Sequence, residues 1–459
     1  MRERWLPAWA LGSVAFGGAS LLVPLYIVLL GATPVQLGLL AGASALIGAP
    51  GAIAFGRLAD QVGHRRTLVL LTLATVAATL AAIPFLTSIL AIVVANTVLW
   101  LFVASVAPVT TMLVVDDAAP EEWPDRIGRF NEYQGYGWAG GLVLGTVWPL
   151  VGSAFLGPVP VVRVLFWLLA GCAALSVLGA ARSLPRPAPG DHVTSERQVA
   201  RVGRLLSRTS RGVTGATFVF FPNRLYWTTQ QFDLARLRDR LDPTLATFLL
   251  AAGLFFTGFA AFWAPLPLLL TEIGFASGSV FALYLGASLA SAVLYEPVGA
   301  LASRYDVRRL LAGTLAVRGV CFPLVPLLAG LGSVALGFVA VGVGLAVIGA
   351  TWAVVAVVGT VVVTRIASPA ARGEVLGAYT ALTAVAGGVG GVLGGWLASF
   401  GYRVAFAVAG GFVVAGAGLV VALRSISGPE RAPREPADTT GSESESSTAE
   451  SPPAERADS

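Results

Sequence analysis

The chain alternates between long apolar runs and short polar breaks. The first run covers residues 6–30, and Pro24 within it predicts a bend near its outer end. Gly31-Ala32-Thr33-Pro34 makes a turn, and a second run covers 35–57. A polar break, Gly56 to Arg66, follows. Runs then fall at 67–86, 88–114, 130–154 and 161–181, interrupted by Pro84 with Thr87-Ser88 and by the polar segment 116–129. A seventh begins near Thr244, where Asp242-Pro243 supplies a cap and a first-turn residue. The rest lie at 276–301, 308–329, 332–363, 374–398 and 402–423. A membrane-spanning helix needs about 20 apolar residues. The pattern therefore predicts twelve spans and an all-α polytopic membrane protein. The run 332–363 is too long for one span and predicts tilt, a kink or an interfacial piece.

Two segments depart from this alternation. Residues 182–242 open on Pro185, Pro187, Pro189 and Gly190, which predict irregular chain. Arg197, Arg201, Arg204, Arg208 and Arg211 then recur at three or four residues, with Val202, Leu205 and Leu206 between them. That spacing suits an amphipathic helix on an anionic membrane face, and equally a solvated basic linker. Residues 428–459, rich in Ser, Glu and Pro, predict a disordered tail. The chain thus divides into 1–181, a linker 182–242, 243–427 and the tail 428–459.

Composition sharpens the class. Of 459 residues, 56% are hydrophobic and 12% charged, with mean hydropathy +0.78. Soluble domains carry about 25% charged residues, so a soluble fold is excluded. All 30 basic residues are Arg. Most of them cluster in the polar breaks, so the net charge of +5 is not a nucleic-acid footprint. Cys172 and Cys321 lie inside apolar runs, which predicts neither a disulfide framework nor a metal site. The first run is too long for a secretory signal and reads as the first span. With a cytoplasmic N-terminus, 27 of the 30 Arg fall on the cytoplasmic side. Arg163 and Arg403 fall outside, and Arg318 within the ninth span. An even number of spans returns the C-terminus to the cytoplasm, giving a multi-pass cell-membrane protein with both ends inside.

The two halves repeat. Shifting by 243 residues (267 minus 24) superposes Pro24 on Pro267, Phe16 on Phe259, Gly31 on Gly274 and Gly56 on Gly299. The same shift superposes Arg65-Arg66 on Arg308-Arg309, Arg129 on Arg372, Tyr136 on Tyr379 and Gly145 on Gly388.

The polar break Gly56-Arg57-Leu58-Ala59-Asp60-Gln61-Val62-Gly63-His64-Arg65-Arg66 reads as a tight turn between spans two and three. It resembles the loop between those spans in the major facilitator superfamily, whose pattern is Gly-x-Leu-Ala-Asp-Arg-x-Gly-Arg-Arg. Gln61 and His64 depart from that pattern. The resemblance implies two six-helix bundles in the same orientation across the membrane, and a secondary transporter that alternates access to a central site. It further implies that Asp60 braces a cytoplasmic gate against the start of span eleven, near Gly373 and Arg372. Gly56, Gly63, Arg65, Arg66 and Arg129 complete that gate set. For Arg65 and Arg66 the readings are pairing with Asp116, Asp117 or phospholipid headgroups, or a topological role alone.

No catalytic motif stands in the chain. His64 and His192 lack ligand spacing, and the glycine-rich stretches lack the Lys of a phosphate loop. No cofactor is expected, and energy would come from a gradient. Expected partners are a small-molecule substrate and the lipid bilayer, with proton or sodium left open as co-ion, for a chain acting as a monomer without nucleic acid. The family's cavity is lined by spans 1, 4, 7 and 10, which nominates Tyr26, Asn96, Trp100, Trp263 and Trp352, with Tyr136 and Tyr379 behind. This aromatic, nearly uncharged palette suits an exported hydrophobic or amphipathic compound. An importer of a polar metabolite or sugar, and a non-transporting receptor or scaffold, are the alternatives. Two departures bear on mechanism. Asn96-Thr97-Val98-Leu99-Trp100 lacks the Arg common in proton-driven members. Gly137-Trp138-Ala139-Gly140-Gly141 lacks the Pro of the export pattern, so close helix packing accounts for Gly137, Gly141 and Gly145, as for Gly387–Gly391. Arg318 costs about 2.5–3.5 kcal/mol in a span, and snorkelling or a structural role is expected of it ahead of the alternative, substrate binding.

Overall fold

A computed structural model describes residues 4–62, 65–115, 122–184, 242–367 and 372–423. The expectations for the linker 182–242 beyond Leu184, for the tail, and for Gly63, His64, Asp116 and Asp117 lie outside the described residues. The described residues are helical: α1 Leu6–Leu29, α2 Pro34–Val62, α3 Arg65–Ala82, α4 Ile89–Val115, α5 Trp123–Gly152 and α6 Pro158–Ser183. Then come α7 Pro243–Trp263, a short α8 Leu266–Glu272, α9 Ser277–Arg304, α10 Val307–Ala329, α11 Val334–Ile366, α12 Arg372–Ala398 and α13 Tyr402–Ala422.

Ten spans among the described residues are long and apolar enough to cross a membrane, with α7 and α8 counting as one. The described apolar part of α2, Pro34–Gly48, is shorter. α5 opens on Asp125, Arg126, Arg129 and Glu132, which lower its hydropathy. Both are nevertheless long helices packed in the bundle, α2 on α4 and α5 on α1.

Local chemistry sets the helix ends. Thr33 and Gln36 form a reciprocal capping box at α2: Gln36 N donates to Thr33 Oγ1 at 3.3 Å and Thr33 N to Gln36 Oε1 at 2.8 Å. Ser333 Oγ caps α11, and Asp306 Oδ1 caps α10. Asp242 sits at the α7 N-cap with Pro243 at the first helical position, but its side chain makes no capping bond. The break between α7 and α8 falls at Pro265 and Pro267. Neither has an N–H to donate, and each ring crowds the carbonyl four residues back.

Two expectations are corrected here. Residues 56–62 continue α2 and do not form a loop, and α3 begins at Arg65. The polar segment expected to reach residue 129 is helical from Trp123, with Asp125 in its first turn, where a carboxylate suits the dipole. α11 is one unbroken helix of 33 residues, with no separate interfacial piece.

The repeat reaches the backbone. Gly31 (φ 84°) and Gly274 (φ 94°), 243 residues apart, end α1 and α8 in the left-handed region that other residues avoid. Ala32 N donates to Ile27 O, and its counterpart Phe275 N donates to Leu270 O, each at 2.9–3.0 Å. These six-to-one bonds are the Schellman closure. Packing repeats too. α1 packs on α5 and α6, α2 on α4, and α3 on α4 and α6. Likewise α7 packs on α12 and α13, α9 on α11, and α10 on α11 and α13. The halves meet through α2 against α12, α5 against α9, and α1 against α8.

Glycine makes these seams. On α12, Gly390 and Gly394 face α7: an added Cβ would lie 2.3 Å from Thr257 O and from Ala261 O. Gly388, Gly391 and Gly395 face α2 across the boundary between halves. In α5, Gly137 and Gly141 lie against α1, while Gly145 accepts the Phe281 ring from the other half. Small residues let backbones approach where lipid supplies no hydrophobic drive.

Candidate functional site

A cavity of about 190 Å³ lies between the halves. α1 contributes Ser20, Leu21 and Pro24; α2 contributes Leu37 to Gly48 on one face; α4 contributes Asn96, Trp100 and Ala104. α7 and α8 contribute Phe259, Trp263 and Pro267, on either side of the proline break. Tyr284 of α9, Trp138 of α5, and Thr380 and Thr383 of α12 close the wall. No charged side chain lines it. The repeat is visible in the wall, since Ser20 and Trp263, Pro24 and Pro267, and Ala41 and Tyr284 are each 243 apart.

Of the aromatic and polar residues nominated from the sequence, Asn96, Trp100 and Trp263 line this cavity. The other four do not. Tyr26 is fully buried inside the first half, donating to Pro84 O at 3.2 Å and packing edge-on to Phe166. Tyr136 is exposed and donates to Glu132 Oε1 at 2.7 Å, one helical turn away. Tyr379 is buried, stacked on Phe248. Trp352 stands behind Phe259, edge-on to its ring. Trp138, Tyr284 and Ser44 are among the wall residues that the sequence reading missed. The repeat carried a signal for Tyr284, through Ala41 of α2; nothing in the pattern distinguished Trp138 from other aromatic residues.

The polar core of the wall is Asn96 with Ser44. Asn96 Nδ2 donates to Ser44 Oγ at 2.8 Å, and Ser44 Oγ donates to Leu40 O at 2.8 Å. The hydroxyl proton is thus engaged, so Ser44 can only accept from Asn96, which fixes the amide orientation. Asn96 Oδ1 is left buried without a partner. Such an acceptor costs about 1–3 kcal/mol.

Among the gate residues, Gly56 and Asp60 belong to α2, Arg65 and Arg66 open α3, Arg129 is exposed on α5 and Arg372 opens α12. The side chains of Asp60 and Arg372 and all of Gly63 lie outside the described residues, so their pairing is not part of the geometry. The Arg66 guanidinium donates to Ala181 O, at the C-terminal end of α6. Arg308 donates likewise to Leu423 O just past α13. In each half, a cation at the start of one helix satisfies the carbonyl end of another.

At the opposite end from the gate residues, α2 and α12 meet backbone to backbone. An added Cβ on Gly38 would lie 2.7 Å from Gly391 O, and one on Gly395 would lie 2.4 Å from Pro34 O. Beside it Gly278 approaches Thr146 O at 3.0 Å by the same measure, joining α9 to α5.

Arg318 of α10 does not snorkel. It is 1% exposed. Nη1 donates to Ile348 O at 2.8 Å and Thr351 Oγ1 at 3.1 Å, both on α11. The guanidinium carbon lies 4.2 Å from the Phe259 ring centroid and 5.7 Å from those of Phe322 and Trp352.

Solved structures share this architecture. The chain is similar to the nucleoside transporter NupG (TM-score 0.66, 13% identity, 92% of this chain and 99% of that one). It is also similar to a bacterial homologue of the human lysosomal transporter Spinster, in an inward-facing and unoccupied conformation (0.62, 15%, 92% and 94%). The human organic anion transporter MFSD10 matches at 0.53 and 18%, over 91% and 98%. At such identities the likeness is one of fold. No curated protein sequence matches the chain significantly. The family model of the Major Facilitator Superfamily matches residues 8–356 and 248–455. Two repeated six-helix halves around a central cavity, matched by that model over nearly the whole length, make this chain a multi-pass membrane transporter of the Major Facilitator Superfamily.

Proposed function

We propose that the protein exports hydrophobic or amphipathic small molecules by alternating access to the cavity between its halves. The observation that carries this reading is the wall itself: three tryptophans, a tyrosine and a phenylalanine, with no charged side chain. Such a surface returns little to a polar solute for the water it must shed, and much to an aromatic or aliphatic body. The distribution of Arg supports an orientation with both termini in the cytoplasm and the Pro34 end of α2 outside. On that orientation the glycine seal between α2 and α12 is an outer gate, closed in this conformation. Asp60 with the start of α12 forms its inner counterpart, and an ion gradient drives the cycle. Labelling of single cysteines at Thr33 and Ser195 in intact cells checks the orientation: position 33 reacts with an impermeant reagent and position 195 does not.

Flux into inverted proteoliposomes, with and without a proton or sodium gradient, tests the function. Gradient-dependent accumulation of aromatic amphiphiles above protein-free vesicles is the expected result. Accumulation of sugars or other polar metabolites instead would favour an importer, and flux equal to empty vesicles across the panel would remove the transport reading.

A further inference from the structure

The alternating-access reading leaves Arg318 without a role. It is the one charged residue among the fully buried side chains described, and it lies in a helix at the periphery of its half. No carboxylate stands within ion-pair distance of it among the described residues. What it meets are dipoles and rings: a backbone carbonyl, a threonine hydroxyl and three aromatic faces. Dipoles of this kind lower the energy of a guanidinium but leave its unit charge uncancelled. Nε has no partner at all.

Phe259 links this charge to the cavity. Its ring carries the guanidinium 4.2 Å from its centroid and also belongs to the cavity wall. The wall contributes no charge of its own, and Arg318 stands one ring behind it. Low-dielectric walls screen poorly and focus the field of such a charge into the cleft they enclose. The ring helps in a second way. Its electron-rich face is occupied by the cation, which draws density toward Arg318 and makes the rest of the ring a poorer partner for a second cation.

We propose that Arg318 sets the charge preference of the cavity, through Phe259 and without touching the solute, so that amphipathic organic anions bind in preference to cations of the same shape. This rests on the transport reading of the cavity and adds the charge of its solute. The aromatic wall holds the body, and the field of Arg318 selects the head.

The test uses three radiolabelled probes with one aromatic body: naphthalene-2-carboxylate, the neutral 2-naphthamide and the 2-naphthylmethylammonium cation. Equilibrium binding to the full-length protein in detergent is measured at neutral pH. The wild type should bind the carboxylate at least tenfold more tightly than the ammonium ion, with the amide between. Arg318→Met should bring that ratio near one while leaving amide affinity within about threefold, and Arg318→Lys should retain most of it. A purely structural Arg318 would lower all three affinities together. Equal wild-type affinities for anion and cation, or an anion preference that survives in folded R318M, would overturn the proposal. Should R318M not fold, the wild-type ratio and R318K still decide. Binding of the amide without anion preference removes this inference alone; no binding of any probe removes the cavity reading with it.

Discussion

Gly395 of α12 and Gly38 of α2 touch backbone to backbone across the boundary between the halves: a Cβ on Gly395 would stand 2.7 Å from Gly38 Cα. Neighbouring Gly394 makes an equally close approach, but to Ala261 of α7 inside its own half. One turn of helix thus carries two seams with different consequences.

Gly395→Ala should hold the Pro34 end open, and Gly394→Ala should weaken the second half itself. Overpacking costs about 1–3 kcal/mol, and a gate can escape it by opening. That energy corresponds to a population shift of roughly 5–150-fold. Spin labels at Thr33 and Phe400, in a background with Cys172 and Cys321 replaced, should move apart in G395A and keep their distance in G394A. The G394A protein should instead unfold at a lower temperature. Gly411, which has open space where its Cβ would be, serves as a neutral control.

The Asn96–Ser44 pair predicts an inverted order of mutational cost. Ser44→Ala removes the acceptor from Asn96 Nδ2 and leaves both ends of a buried amide unsatisfied. That should cost about 1–3 kcal/mol. Asn96→Leu removes the amide together with its orphaned Oδ1 and should cost less, although it changes more atoms. Thermal unfolding in detergent ranks them; a larger loss in N96L would show that the amide is satisfied by water or ligand.

Arg66 and Arg308 act as C-terminal caps for α6 and α13. Arg66→Met and Arg308→Met should each cost about 0.3–1 kcal/mol. The effects should add, because the sites share no partner. Strong coupling between them would mean that the two halves do not close their bundles independently.

Asp60 is expected to govern switching and not recognition. A carboxylate near the first turn of α12 contributes about 0.3–2 kcal/mol through the helix dipole. Asp60→Asn should therefore loosen the state closed at the inner end and slow net transport. Affinity in protein locked with the outer gate open should stay nearly unchanged. Distances between labels in the turn after α2 and the segment before α12 report the switch. Lost binding in the locked protein, with those distances unchanged, would move Asp60 into the solute site.

The sequence by itself determined the class, the spans and the twofold internal repeat. Lipid allows few backbone solutions, so apolar runs of sufficient length must be helices, and Arg placement orders them. The 243-residue shift paired Gly31 with Gly274; that both adopt the left-handed region was seen only in the structure. Where helices end was less legible: residues 56–62 and 123–129 are polar yet helical, because helix propensity and end dipoles act on residues that hydropathy reads as loop. The site was legible in part. Asn96, Trp100 and Trp263 lie on cavity-lining helices and face the cavity. Tyr26, Tyr136, Trp352 and Tyr379 sit on helices of the right kind but turn elsewhere. A fully apolar helix has no polar face to betray its rotation, so packing alone decides which side meets the cavity. The same holds for the glycines of α12, where two seams interleave at adjacent positions. Only the tertiary structure could bring Arg318, a lone charge in a span by sequence, onto the ring of Phe259 at the cavity wall.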